Sequence, residues 1–161
     1  MLGDADRDRL EQAYRSIGPK LWRAVLAYAG GAREVADDAV AEAFAQAGRR
    51  LPSIRHLERW VFSAAFRIAA GELKRRRQWG ELAEVASPAD LGSQELTELM
   101  LLVRQLGPTQ RSVFILRDVL GYTSRETAYL LGRTDGAVRV HLLAARRRLK
   151  TQLKEVDAHG G

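Results

Sequence analysis

Apolar residues recur along the chain at intervals of three and four, which is the period of an α-helix buried on one face. The clearest run comprises Val35, Ala36, Ala39, Val40, Ala43, Phe44 and Ala47. Alternating β-branched runs bounded by hairpin turns, which would predict strands, do not occur in the sequence. The pattern therefore predicts an all-α protein.

Glycine and proline divide this pattern into separate helices, because neither residue continues a helix readily. The predicted breaks fall at Gly18-Pro19, Gly30-Gly31, Pro52, Gly107-Pro108 and Gly121. The segment 57–73 is apolar nearly all round, so we expect it to form the central helix of its module. It ends in a run of four basic residues.

The formal net charge of +6 is distributed unevenly and divides the chain into three parts. Residues 1–77 include 15 basic and 10 acidic residues, and residues 95–161 include 11 basic and 7 acidic ones. Residues 78–94 contain three acids, no basic residue, one proline and two glycines, which is typical of a linker. We predict two small helical domains, at 1–77 and 95–161, joined by a flexible acidic linker at 78–94.

Composition excludes several classes of protein and site. The chain has no cysteine, which excludes disulfide scaffolds and thiolate metal sites. Its three histidines lack metal-ligand spacing, and no phosphate-binding glycine loop or nucleophile elbow occurs. We therefore expect no enzyme, no catalytic residue, no metal and no cofactor. Without a long apolar run or a signal segment, we expect a cytoplasmic protein with no membrane insertion, and its basic balance indicates a polyanionic partner.

Residues 121–149 carry the strongest local signal in the chain. Thr123 and Glu126 have the spacing of a capping box, which predicts that a short helix starts at Thr123. Gly132 permits a left-handed turn, and Thr134 is a good N-cap for the helix that follows. The predicted buried positions are Ala128, Leu131, Val138, Leu142, Ala145, Leu149 and Leu153. This arrangement predicts a helix-turn-helix, and we expect the second domain to contain four helices.

A helix-turn-helix places its second helix in the major groove of DNA, with the N-terminal residues facing base edges. The residues at this position are Thr134, Asp135, Gly136, Arg139 and Val140. His141 is either a further base reader or a surface or packing residue. Phosphate contacts, which position the protein without reading sequence, are expected from Arg125, Arg133, Arg146 and Arg147. The alternative is an ordinary helical hairpin with a solvated charged face.

The segment 106–150 resembles region four of the bacterial extracytoplasmic-function (ECF) sigma factors, which belong to the sigma-70 family. The matching residues include Leu106, Pro108, Arg111, Gly121, Thr123, Glu126, Leu131, Gly132, Gly136, Val138, Arg139 and Arg146. This resemblance implies that the second domain reads the minus-thirty-five promoter element and contacts the β flap of RNA polymerase. LuxR-type regulators share the helix-turn-helix core, but they usually pair it with a receiver or ligand domain, and the first module has neither pattern.

The first module resembles sigma region two. Asp38, Glu42 and Phe44 match its signature, while Ala41 stands where the family has glutamine. Glu34, Asp38 and Glu42 are spaced four residues apart and form one acidic stripe on a helix. The stripe is either a solvated face or, as the resemblance implies, the contact of this module, together with Phe44, to the clamp helices of the polymerase β′ subunit.

The segment 58–77 is similar to the part of region two that binds and melts the minus-ten element. Its candidate DNA contacts are Trp60, Arg67, Lys74, Arg75, Arg76 and Arg77. Trp60 is either a core residue or a base-stacking one, and the basic run either complements the helix C-terminus or contacts phosphates. Arg67 and Gly71 stand where the family usually has asparagine and aspartate, which indicates an unusual minus-ten preference.

The resemblance as a whole implies an ECF sigma factor that binds core RNA polymerase and directs promoter-specific initiation of transcription. It also implies an anti-sigma partner and association with the nucleoid in the active state. The alternative is a sigma-like DNA-binding transcriptional regulator that does not itself support promoter opening. The departures at Ala41, Arg67 and Gly71 are the reason to consider this alternative.

Overall fold

A computed structural model of the protein describes residues 2–78 and 93–159. Within these two ranges every regular element is a helix, as the apolar pattern predicts. The interior of the predicted linker, from 79 to 92, lies outside the described residues. In the described part of the chain no helix is both long and apolar enough to cross a membrane.

The first module consists of three long helices and one short turn. These are α1 (Asp4–Tyr28), α2 (Arg33–Arg50), a 3-10 turn (Leu51–Ser53) and α3 (Leu57–Gln78). The reversal between α1 and α2 uses Gly30 and Gly31, with φ angles of 64° and 86° that residues with a side chain rarely adopt. The three helices pack against one another, and the basic run 74–77 lies at the C-terminal end of α3.

The predicted break at Gly18-Pro19 is wrong, because α1 continues through both residues to Tyr28. The residue before a proline normally avoids helical backbone, since its Cβ meets the proline ring, but Gly18 has no Cβ. The apolar stripe also continues across this point, where Ile17 and Leu21 are four residues apart and both buried. Burial of that stripe compensates for the hydrogen bond that Pro19 cannot donate.

The second module contains the four predicted helices. They are α4 (Gln94–Val103), α5 (Pro108–Phe114), which runs into a π-helical turn (Ile115–Val119), α6 (Ser124–Leu131) and α7 (Asp135–His159). Pro108 occupies the first turn of α5, where a helix does not need the missing N–H. Helices α5 and α6 both pack against α7, so the long last helix forms the spine of the module.

Two predicted buried positions in this module differ from the structure. Leu130 is the fully buried leucine of α6, at 3% exposure, whereas Leu131 is only half-buried. The reason is that α6 packs against α3 of the first module as well as against α7, which widens its buried face. Leu149 is the last buried residue of the stripe on α7, and Leu153 is 48% exposed because the helix continues past the core of its module.

The two modules lie in direct contact. Their buried apolar residues form one continuous cluster, which includes Val25 and Phe62 of the first module and Leu116 and Leu142 of the second. Helix α1 contacts α4 and the π-helical turn, and α3 contacts α6. The helix-turn-helix is therefore packed against the same helix, α3, that carries the candidate minus-ten residues.

Candidate nucleic-acid interface

The helix-turn-helix forms where it is predicted. Thr123 and Glu126 make a complete capping box, in which the Glu126 N–H donates to Thr123 Oγ1 at 3.0 Å and the Thr123 N–H donates to Glu126 Oε1 at 3.1 Å. These bonds lower the pKa of the Glu126 carboxyl. Gly132 adopts the left-handed conformation, with φ 65° and ψ 37°. Thr134 caps α7 by accepting from the Ala137 N–H at 3.1 Å.

The first two turns of α7 present the residues predicted to approach bases. Arg139 and Val140 are exposed, and Val140 is 67% exposed, which is unusual for a β-branched apolar side chain. An apolar side chain at this position can contact the methyl group of thymine. Asp135 and His141 are half-buried, so they are less accessible than their neighbours. The exposed surface of α7 thus combines the apolar side chains of Val140, Leu143 and Leu153 with several basic groups.

The basic residues expected to contact phosphates divide into two groups. Arg125 and Arg147 are exposed on the surface of the module. Arg146 forms a bidentate ion pair with Asp118, at 2.7 and 2.8 Å, which raises the pKa of Arg146. Arg133 donates to Thr109 Oγ1 at 3.1 Å. In this structure the guanidinium groups of Arg146 and Arg133 therefore bridge helices of their own module.

The first module has an open cavity of about 500 Å³ beside the start of α3. Trp60 and Arg67, two of the predicted minus-ten residues, line it, and Trp60 is half-buried. Its other polar lining residues are Arg50, Ser53, Arg55, His56, Arg59 and Ser63. The lining contains no carboxylate, so the cavity is suited to an anionic, ring-containing ligand. Arg50 and Arg55, the two lining arginines outside α3, are not predicted as site residues from the sequence, although they flank Pro52 at a predicted break between two helices.

The basic run at the end of α3 is partly neutralised. The Glu72 carboxylate accepts from Arg75 at 2.7 Å and from Arg76 at 2.9 Å, which lowers the pKa of Glu72 to about 2. Arg76 also lies 3.5 Å from Glu34. Lys74 and Arg77 are exposed, and neither forms an ion pair within 2–78 or 93–159. Lys74 and Arg77 are therefore the members of the run that remain available to an outside anion.

The acidic stripe lies on the exposed face of α2. Glu34, Asp38 and Glu42 are all exposed. Hydrogen bonds from Gln46 and Arg49 lower the pKa of Glu42. Phe44 lies on the opposite side of the helix, at 6% exposure. Its position is in the core, so it can support the stripe but does not present its ring to a partner.

Helix α6 covers part of the first module next to the 500 Å³ cavity. Ser63 Oγ donates to the Leu130 backbone oxygen at 3.3 Å, and the rings of His56 and Tyr129 lie 6.1 Å apart, edge to face. The contact joins a cavity wall to the first helix of the helix-turn-helix. The two candidate DNA surfaces are therefore adjacent in this arrangement.

Arg111, which the sequence marks only as a residue that matches the family pattern, is buried at the contact between the two modules. Arg111 is 4% exposed and donates to the backbone oxygens of Leu106, Arg104 and Tyr28. Its guanidinium also lies 5.0 Å from the centre of the Tyr28 ring. Burial lowers the pKa of Arg111 and raises that of Tyr28. Four donor–acceptor contacts and a cation–π contact keep this charge inside the protein.

Comparison with known proteins gives one family match and several relatives. The model of sigma-70 region 4 matches residues 96–149. The ECF RNA polymerase sigma factor SigD of Mycobacterium tuberculosis is 29% identical over 166 residues, covering 92% of this chain and 78% of SigD. The ECF RNA polymerase sigma factor BldN of Streptomyces coelicolor is 27% identical, covering 83% of this chain. This chain spans only 56% of the length of BldN.

Two solved structures share the fold. The sigma factor RpoE of Bartonella quintana, in complex with the anti-sigma factor NepR, has a TM-score of 0.69 and 23% identity, covering 89% of this chain and 96% of RpoE. CnrH, in complex with the cytosolic domain of CnrY, has a TM-score of 0.63 and 24% identity, covering 92% of this chain and 90% of CnrH.

Proposed function

We propose that the chain is an ECF sigma factor of the sigma-70 family, which binds core RNA polymerase and directs initiation at specific promoters. The observation that carries this proposal is the capped helix-turn-helix, whose second helix exposes Arg139 and Val140 next to each other. The protein would act in the cytoplasm and associate with the nucleoid when active. Its contribution to promoter opening is binding energy, without bond chemistry of its own.

We assign a separate task to each surface. The start of α7 reads the minus-thirty-five element through Arg139 and Val140, and the second module contacts the β flap. The 500 Å³ cavity and the basic end of α3 bind the minus-ten element, where Lys74 and Arg77 neutralise phosphates. The acidic stripe on α2 faces the clamp helices of the β′ subunit. The stripe is exposed, and it is acidic in a module whose net charge is positive. Both features support that assignment.

DNA binding by both modules at once requires that they separate. Elements centred at minus ten and minus thirty-five lie about 85 Å apart along straight duplex, at 3.4 Å for each base pair. In the present arrangement the modules touch through Ser63 and Leu130 and through His56 and Tyr129. We infer that this closed arrangement is the free form and that binding to polymerase opens it.

An anti-sigma factor is the proposed regulatory partner. RpoE of Bartonella quintana was solved with the anti-sigma factor NepR, and CnrH was solved with the cytosolic domain of CnrY. Both share the fold over more than 85% of this chain. A partner of this kind would hold the two modules in an arrangement that cannot engage promoter DNA.

Reconstituted transcription tests the proposal. Duplexes selected for binding to the purified chain would be transcribed with core polymerase, with the chain added or omitted. We expect transcripts that start at a fixed position and depend on the chain. DNA binding without a transcript from any selected duplex would contradict the proposal and favour the regulator that lacks promoter opening, which the departures at Ala41, Arg67 and Gly71 suggest.

A further inference from the structure

A second cleft, of about 840 Å³, lies at the seam between the two modules. The end of α3 forms one wall, residues 104–108 form another, and α7 contributes one side chain. Its charged lining residues are Lys74, Arg77, Arg104, Arg111 and Arg148, and the lining contains no carboxylate. Both modules supply cations, so the cleft exists only when they are together.

The positive charge in this cleft is not balanced by any carboxylate that lines it within residues 2–78 and 93–159. Within residues 2–78 and 93–159, Lys74, Arg77 and Arg148 make no ion pair with a carboxylate. Burial lowers the pKa of Arg111, and the nearby charges of Arg77 and Arg104 lower it further. The repulsion is strongest at Arg111, which is buried and therefore weakly screened by solvent. A bound anion would remove this repulsion.

Arg104 is held between the wall of the cleft and Gly30. Its Nη2 donates to the Gly30 backbone oxygen at 3.2 Å, but its Nε is buried and has no hydrogen-bond partner in the described part of the chain. The side chain lies so close to Gly30 that a Cβ there would collide with it, which fixes the guanidinium in place. The Arg104 side chain also lines the cleft, so its positive charge adds to those of the other cations there.

The size and the charge of the cleft identify the class of ligand. A volume of about 840 Å³ is within the range of small-molecule sites. Arginine forks match the oxygens of phosphate, and five cations exceed what a single phosphate can neutralise. We propose that the cleft binds a compact anion with several linked phosphate groups, of the size of a nucleoside triphosphate, and that this anion bridges the two modules. The site requires only the free chain and does not depend on the proposed function.

The effect of such a ligand on DNA binding, unlike the site itself, rests on the proposed function: the ligand would compete with promoter DNA. Lys74 and Arg77 belong both to the cleft and to the surface assigned to the minus-ten element. An anion that occupies them therefore blocks phosphate contacts there, and by bridging to Arg148 it holds the second module in the closed arrangement. The ligand would stabilise the form of the protein that does not bind DNA.

Calorimetric titration of the full chain with inorganic tripolyphosphate, in magnesium-free buffer, tests the site. We expect saturable binding at one site, weakened about tenfold by Arg148→Gln, which removes one charged donor. Lys150→Gln is the matched control, because Lys150 is exposed two residues further along α7 and does not line the cleft. Absence of saturable binding, or an equal loss in both variants, would overturn the proposal.

Other anions identify the source of the affinity. ATP binding as tightly as tripolyphosphate would support recognition of the phosphate chain alone, and tighter ATP binding would support a nucleotide. Two results would overturn the assignment to a multi-phosphate anion. One is that orthophosphate binds as tightly as tripolyphosphate. The other is that an oligoglutamate peptide binds more tightly than tripolyphosphate and loses its binding in Arg148→Gln. If the chain binds tripolyphosphate but does not initiate transcription, the result supports this site and contradicts only the proposed function.

Discussion

Arg111 joins the two modules by donating a hydrogen bond of 3.2 Å from its guanidinium to the backbone oxygen of Tyr28, 83 residues earlier in the chain. The same group donates to the backbone oxygens of Leu106 and Arg104, and both residues lie in the loop before α5. One side chain therefore organises a loop of its own module and attaches that loop to the other module. Because the Arg111 charge is buried, the stability of the protein depends on the hydrogen bonds that Arg111 donates to these three oxygens.

Replacing Arg111 with methionine should destabilise the protein. Arg111→Met leaves the Leu106, Arg104 and Tyr28 oxygens without their donor, and we expect a loss of about 2–4 kcal/mol in the free energy of unfolding. Urea denaturation followed by circular dichroism measures it. Arg125→Met, at an exposed site, is the control and should change the free energy by less than about 0.5 kcal/mol. Equal effects in the two variants would contradict the role assigned to Arg111.

Two glycines four residues apart should respond to alanine in opposite directions. Gly132 has a left-handed backbone, and a Cβ there would lie 3.0 Å from Arg59 Nη2, so Gly132→Ala should lower the free energy of unfolding by about 1 kcal/mol. Gly136 lies inside α7 with open space around it, so Gly136→Ala should raise it by about 0.5–1 kcal/mol. Thermal or urea unfolding of both variants gives the signs directly, and a shared sign would refute the turn geometry.

The sequence predicted the helix-turn-helix in detail because each of its signals is local. The cap at Thr123, the left-handed Gly132 and the cap at Thr134 depend only on neighbouring residues, and all three are confirmed. The break at Gly18-Pro19 was wrong because burial of the stripe through Ile17 outweighs a local signal. Local rules do not include that tertiary contribution.

The features that sequence reasoning missed arise from contact between distant segments. Leu130 is buried because α6 packs on α3, and Arg146 is held by Asp118, 28 residues earlier. The cleft lined by Lys74 and Arg148 requires both modules in place. No spacing within either module indicates which surfaces meet, so a single sequence cannot predict these relationships.

Acid should remove the contribution of Glu72 to stability. The pKa of Glu72 is lowered from 4.5 to about 2 by its bonds to Arg75 and Arg76, so the stabilisation is complete above pH 4.5 and is lost as the pH falls towards 2. Because the pairs lie close to solvent, we expect only about 1 kcal/mol. The difference in unfolding free energy between the unmodified chain and Glu72→Gln should therefore shrink between pH 4.5 and pH 2.

The control for this pH dependence is Glu11→Gln, which breaks a single exposed pair with Arg15. Its effect should stay below about 0.5 kcal/mol throughout. A difference for Glu72→Gln that is independent of pH would show that packing of the side chain, and not its charge, accounts for the stabilisation.

Base contacts and phosphate contacts on α7 should be separable by their dependence on sequence and salt. Arg139→Ala should cost about 1–3 kcal/mol in binding to a selected duplex and relax sequence preference at one position. Arg147→Ala should weaken binding to all duplexes similarly and reduce the salt slope by about 1. Fluorescence anisotropy at several salt concentrations measures both effects. Lys154→Ala, near the far end of α7, should change neither, and identical profiles for Arg139→Ala and Arg147→Ala would contradict base reading by Arg139.

Linking the modules covalently should abolish initiation if they must separate to reach both promoter elements. The chain has no cysteine, so thiols introduced as His56→Cys and Tyr129→Cys, whose rings lie 6.1 Å apart, can be joined by a short bismaleimide without side reactions at other sites. Closed modules cannot span elements about 85 Å apart, so the cross-linked double variant should give no transcript with core polymerase. Each single variant, treated with the same reagent, measures the loss caused by modifying position 56 or 129 alone, and His56 lines the cavity assigned to the minus-ten element. The cross-linked double variant should fall below both single variants. Transcription by the cross-linked protein at the level of the single variants would show that the closed arrangement is competent for initiation.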